Sequence, residues 1–88
     1  MKNWELVFKS LANINRLKII KMLDVKKSGM NVSDISEKLD ISFRATSRHL
    51  IQLKNVGVLD SLGKDGNVIY TINKDLPSNF KQIFTHIL

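Results

Sequence analysis

Up to Gly57 the apolar residues of this 88-residue chain recur every three or four positions, and beyond it they alternate. A helix buries a stripe with a period near 3.6, whereas a strand buries every second residue. The chain is therefore expected to fold as helices followed by a hairpin. Gly57 suits the boundary, because glycine enters the left-handed conformation that ends many helices. Val58–Leu62 and Val68–Ile72 read as short strands, and Asp65-Gly66 between them suits a type I′ turn. That turn would set Lys64 opposite Asn67, Leu62 opposite Ile69, Ser61 opposite Tyr70 and Leu59 opposite Ile72. Leu59, Val68, Tyr70 and Ile72 would then share the face that packs on the helices.

Four helices are expected ahead of the hairpin. Trp4, Val7, Phe8 and Leu11 mark the first, over about 4–13, and Leu17, Ile20 and Leu23 mark the second, over about 15–23. Asn13 and Asn15 supply a breaker and a cap between them. The polar stretch 24–30, with Ser28-Gly29, reads as a loop. Asn31 can cap a third helix that turns Ile35 and Leu39 inward, with Asp34 near its positive end. Ser42 can cap a fourth, running to about Val56, with Ala45, Thr46, His49, Leu50 and Leu53 inward and Phe43, Arg44, Ser47, Arg48 and Ile51 outward. Only Asp40-Ile41-Ser42 separates helices three and four, the spacing of a helix-turn-helix. A hairpin directly after it makes a winged helix. Pro77 can open a last helix over 77–88, striped by Phe80, Ile83, Phe84 and Ile87. The expected architecture is mainly α with a small β-hairpin, one winged helix-turn-helix unit over 1–88.

Composition removes several functions. There is no cysteine, which excludes disulfides, thiolate metal sites and cysteine nucleophiles. Apolar runs fall far short of the ~20 residues a membrane helix needs. Met-Lys-Asn-Trp-Glu with no apolar core behind it is not a signal peptide, so a cytoplasmic protein with no membrane partner is expected. No nucleophile–base pair, Gly-rich phosphate loop or carboxylate pair stands in a recognisable setting, so no enzyme and no cofactor are expected. The net charge of +6 fits a polyanionic partner, and the excess lies early, with seven basic and two acidic residues in 1–30.

The motif residues resemble a known family. Val32-Ser33-Asp34-Ile35-Ser36-Glu37-Lys38-Leu39-Asp40-Ile41-Ser42 is similar to the first half of the ArsR-type winged helix. Thr46-Ser47-Arg48-His49-Leu50-Ile51-Gln52-Leu53 and Gly57-Val58-Leu59 resemble its recognition helix and the start of its wing. Phe8-Lys9-Ser10-Leu11-Ala12-Asn13 and Arg16-Leu17-Lys18-Ile19-Ile20 resemble its first two helices, so the likeness covers roughly residues 5–75. It implies a sequence-specific, dimeric transcriptional regulator, a repressor, that reads double-stranded DNA with helix 42–56.

The residues agree with that implication. Ser42, Phe43, Arg44, Ser47 and Arg48 give the fourth helix a polar start of the kind that enters a major groove. Arg pairs with guanine O6 and N7, Phe43 can meet a thymine methyl, and Ser can hold phosphate. Thr46 belongs to the candidate set as part of the motif. His49 is open between a phosphate contact and a hydrogen-bonded core histidine. On the wing the family commonly places an arginine just after the turn glycine. Asn67 stands there, which leaves Lys64 as the only basic residue at the tip, with Asp65 beside it. The family's thiolate ligands would fall near Asn31 and Ser33. At its carboxylate–histidine site Asp75 could match one ligand, but Pro77 replaces the next histidine, so no metal is expected. An inducer is not specified. Trp4, Val7, Phe8, Leu11, Phe80, Ile83, Phe84 and Ile87 are expected to pair across a two-fold axis, because so small a chain has little core of its own for them to cover. Two rivals stand beside this reading: a winged helix used for protein–protein contact, and a non-specific architectural DNA binder.

Overall fold

The computed structural model describes residues 3–80 and residue 82. The element order is α1 (Trp4–Leu11), α2 (Ile14–Val25), β1 (Met30–Asn31), α3 (Val32–Leu39), α4 (Phe43–Asn55), β2 (Leu59–Lys64) and β3 (Asn67–Ile72). Residues 78–80 and 82 are helical, directly after Pro77. Ile83, Phe84 and Ile87 lie outside the described residues. The α3–turn–α4 pair followed by the β2–β3 hairpin is a winged helix-turn-helix.

Each helix start is made by the residue before it. Asn3 Oδ1 accepts from the Leu6 amide, Asn13 Oδ1 from the Asn15 and Arg16 amides, Asn31 Oδ1 from the Asp34 amide, and Ser42 Oγ from the Ala45 amide. Each cap satisfies amides that a helix start leaves without an intrahelical acceptor, and is worth about 1 kcal/mol. Asn13 thus starts α2 at Ile14, one residue earlier than the periodicity suggests. The ends are equally local. Gly57 has φ +80°, its amide donates to the Lys54 carbonyl, and the Val58 amide donates to the Leu53 carbonyl. This pair of bonds closes α4 in a Schellman motif. Asp40, with φ +55°, closes α3 in the same way, and the Ile41 amide donates back to the Ser36 carbonyl.

The hairpin register is as expected at every pair, from Leu59 opposite Ile72 to Lys64 opposite Asn67. Asp65 and Gly66 both have positive φ, as a type I′ turn requires. Two points of the hairpin and its surroundings differ from expectation. Val68 has the right pleat but sits one pair from the tip, beyond the reach of the helices, and is exposed. The loop reading of 24–30 also fails at its end. Met30 is a buried strand residue paired with Tyr70, so the sheet has three strands in the order β1-β3-β2.

Gly29 makes that third strand reachable. It has φ +93°, and a Cβ built there would stand 2.5 Å from Ile69 Cγ2 and 2.8 Å from both Thr71 Cγ2 and the Tyr70 carbonyl oxygen. Gly29→Ala would combine left-handed backbone strain with overpacking against β3. It is expected to destabilise the chain by about 2–4 kcal/mol in urea unfolding. A change below 0.5 kcal/mol would show that β1 does not need this close approach.

One core cluster joins all the elements: Ile19, Ile20 and Leu23 of α2, Ile35 of α3, Leu50 and Leu53 of α4, and Val58, Leu59 and Tyr70 of the wing base. Val7, Leu11 and Phe80 belong to it as well. This corrects the expectation that the whole terminal stripe faces a partner. Val7 is completely covered by its own chain, and Leu11 and Phe80 nearly so. Trp4 and Phe8 remain on the surface, Phe8 60% exposed, with their rings 5.5 and 6.4 Å from that of Phe80.

Candidate nucleic-acid interface

The helix-turn-helix sets one face of α4 into the core and leaves the other bare. Leu50 and Leu53 are fully buried. On the opposite side Phe43, Arg44, Ser47, Arg48 and Ile51 line a shallow concavity at the outer surface. Arg44 and Arg48 are one turn apart, as are Phe43 and Ser47, so the face alternates cationic and apolar or hydroxyl groups. Phe43 is 57% exposed, and Ile51 is also exposed. Ile51 was on the expected outer face but not among the candidate contacts. Its signal is its place eight residues after Phe43, on the same stripe.

The remaining candidates divide. Ser42 is exposed, and its Oγ accepts the α4 cap bond while its hydroxyl proton remains available to donate. Thr46 is corrected: it is completely buried, and its Oγ1 donates to the Ser42 carbonyl at 2.9 Å. It cannot reach a duplex, and its part is to tighten the first turn of α4. Lys64 and Asn67 are exposed at the wing tip, paired to each other across the strands. Beside them Leu62 is 70% exposed, which makes the hairpin surface more apolar than basic. Lys54, on the last turn of α4, donates to Ser61 Oγ and ties the helix to the wing.

His49 resolves as an internal hydrogen-bonding residue. Its Nδ1 accepts from Arg16 Nε at 3.1 Å, and Arg16 Nη1 donates to the Ser10 carbonyl at 2.9 Å. One guanidinium therefore joins the end of α1, the start of α2 and the middle of α4. An Nδ1 that accepts leaves the ring proton on Nε2, so His49 is neutral and retains one donor. Burial, then the Arg16 charge, then the Arg48 charge hold its pKa below the ordinary 6.5. An unfolded His49 takes up a proton near pH 6.5, and the folded one resists until lower pH. Stability from this group is therefore complete above pH 6.5 and is lost as pH falls from there through the folded value. The expected result is an unfolding free energy that falls as pH drops below about 6.5, a fall that flattens in His49→Asn, whose amide oxygen replaces the acceptor without titrating. An equal slope in both proteins would rule out His49 as its source.

Among the described residues no three His, Cys, Asp or Glu side chains come together, and no helix is long and apolar enough to cross a membrane.

Comparison with known proteins places this geometry. Residues 13–61 match the family described as "Bacterial regulatory protein, arsR family". The chain is 44% identical over 69 residues to the cadmium resistance transcriptional regulatory protein CadC of Listeria innocua, an alignment covering 78% of this chain and 56% of CadC. The chain thus spans little more than half the length of that relative. Among solved structures, HlyU from Vibrio cholerae superposes with a TM-score of 0.77 at 27% identity, over 93% of this chain and 84% of HlyU. The transcriptional repressor PagR of Bacillus anthracis superposes with a TM-score of 0.75 at 26% identity, over 93% of this chain and 88% of PagR. The match covers both helices of the helix-turn-helix and the start of β2, and the chain belongs to the arsR family of bacterial regulatory proteins.

Proposed function

We propose that this protein is a dimeric, sequence-specific DNA-binding transcriptional repressor that reads the major groove with α4, and that it works in the cytoplasm and catalyses no reaction. The observation that carries the reading is the division of α4. Its core face anchors the helix through Leu50 and Leu53, while Arg44, Ser47 and Arg48 project near the N-terminal end, the end that meets base edges in helix-turn-helix proteins. The regulator and repressor names of CadC and PagR support the same role. Ser42, Phe43 and Lys64 join the contact surface, with Asn67 a weak member because it carries no charge.

Size supports the dimer. The chain is 31 Å in its longest dimension, whereas successive major-groove half-sites lie about 34 Å apart. Two copies joined through the Trp4 and Phe8 surface would supply the two reading helices that such a pair of half-sites needs. The cadmium response in CadC's name is not carried over, since this chain has no cysteine to offer as a soft ligand. Titration of random duplex against salt tests the electrostatic part, with the logarithm of affinity falling linearly as salt rises. A second reading, protein contact through the same face, draws on the exposed Phe43, Ile51 and Leu62. Absence of any duplex binding at low salt would favour it.

A further inference from the structure

A second concavity lies away from α4, between α2 and α3, and its volume is about 610 Å³. Its floor is apolar: Met22 and Val25 from α2, Met30 from β1 and Leu39 from the end of α3. Its rim is cationic, with Lys18, Lys21 and Lys26 on the α2 side and Lys38 on the α3 side. Val25 is 79% exposed, an unusual cost for an aliphatic side chain next to three other apolar groups. The volume falls within the ~300–1,000 Å³ range of small-molecule sites, and the patch is far smaller than the ~800 Å² per partner of a stable protein interface. A bare phosphate backbone would match the lysines but not the floor. A neutral apolar ligand would match the floor but not the lysines. Asp34 and Glu37 stand on an adjoining, smaller depression that shares Lys26, Met30 and Lys38, so negative charge is disfavoured on that flank and favoured toward Lys18.

We propose that the α2–α3 groove binds an amphipathic carboxylate, with its alkyl chain on Met22, Val25, Met30 and Leu39 and its head toward Lys18, away from the Asp34 and Glu37 flank. Two thioethers in the floor suit an unbranched, flexible chain, because methionine repacks around irregular shapes.

Isothermal titration of the purified protein with sodium dodecanoate, kept below micelle formation, tests this without DNA. Saturable binding at one molecule per chain is expected. Butanoate, with little chain to bury, and dodecyltrimethylammonium, with the same tail and a positive head, are expected to bind at least about tenfold more weakly. Val25→Asp and Lys18→Glu alter exposed side chains, so the fold is kept, and each is expected to weaken dodecanoate by about tenfold or more. Lys74→Glu, an equal charge change at an exposed position outside the groove lining, is expected to leave binding unchanged. No saturable binding of dodecanoate, equal binding of the cationic amphiphile, or undiminished binding in both groove variants would each overturn the assignment.

Discussion

Arg44→Ala is expected to lower affinity for the preferred duplex by about 1–3 kcal/mol per half-site and to relax preference at one base position. Arg44 is the second residue of α4, and N-terminal residues of a reading helix reach deepest into the groove. Its guanidinium can hold guanine O6 and N7 together, a contact that no other base pair satisfies equally. Arg48 is one turn further along the same face and is expected to hold phosphate. Arg48→Ala should therefore weaken all duplexes about equally and lower the salt slope by roughly one unit per half-site. Lys64→Ala should do less than either on the preferred site, because the wing tip offers one lysine beside Asp65 and no arginine. A panel of single-base duplex variants separates these outcomes. If both arginine variants bind as wild type does, the exposed face of α4 is not a DNA surface.

The second large effect concerns α1. Phe8→Glu combined with Trp4→Glu is expected to convert a dimer into a folded monomer at tens of micromolar protein. Buried aromatic anchors at an interface are commonly worth about 2 kcal/mol or more each, and each is lost from both protomers, so dimerisation should weaken by at least about a thousandfold. Phe8 is 60% and Trp4 38% exposed in the single chain, and the substitutions leave the fully covered Val7 and the Leu11 contact on the other side of α1 in place. Val7→Asp is the contrasting variant. Val7 has no exposed surface, so an unpaired carboxylate there is expected to unfold the chain rather than dissociate it. Sedimentation and circular dichroism together distinguish the two. A wild-type chain that sediments as a monomer at the same concentration would remove the basis for two half-sites 34 Å apart.

The helical geometry explains why the sequence pattern could not make that distinction. Trp4, Val7, Phe8 and Leu11 form one stripe by spacing, but at about 100° per residue Val7 and Phe8 stand 100° apart around α1. Val7 and Leu11 take the side toward α2 and α4, and Trp4 and Phe8 the side next to Phe80. The hairpin register was legible to the residue because Asp65-Gly66 imposes one turn type and one pairing on strands that alternate, although the strands run to Lys64 and from Asn67, closer to the turn than the apolar runs suggest. β1 was not, since two residues are too few to show alternation. The usable signal was a methionine flanked by Gly29 and the capping Asn31. Thr46 shows the same ambiguity in polar form. It falls on the stripe of Leu50 and Leu53, and periodicity alone points it inward, whereas motif likeness groups it with the reading residues. The link from Arg16 to His49 spans 33 positions and has no local signature. Only the packing of α2 against α4 brings the two side chains together.

Selection of bound sequences from a random duplex pool tests the central claim most directly. An enriched palindrome is expected whose half-sites lie one helical turn apart, with preference at one position of each half-site lost in the pool selected by Arg44→Ala. A pool that stays random while binding remains salt-dependent, or a protein that retains no duplex at low salt, would contradict it.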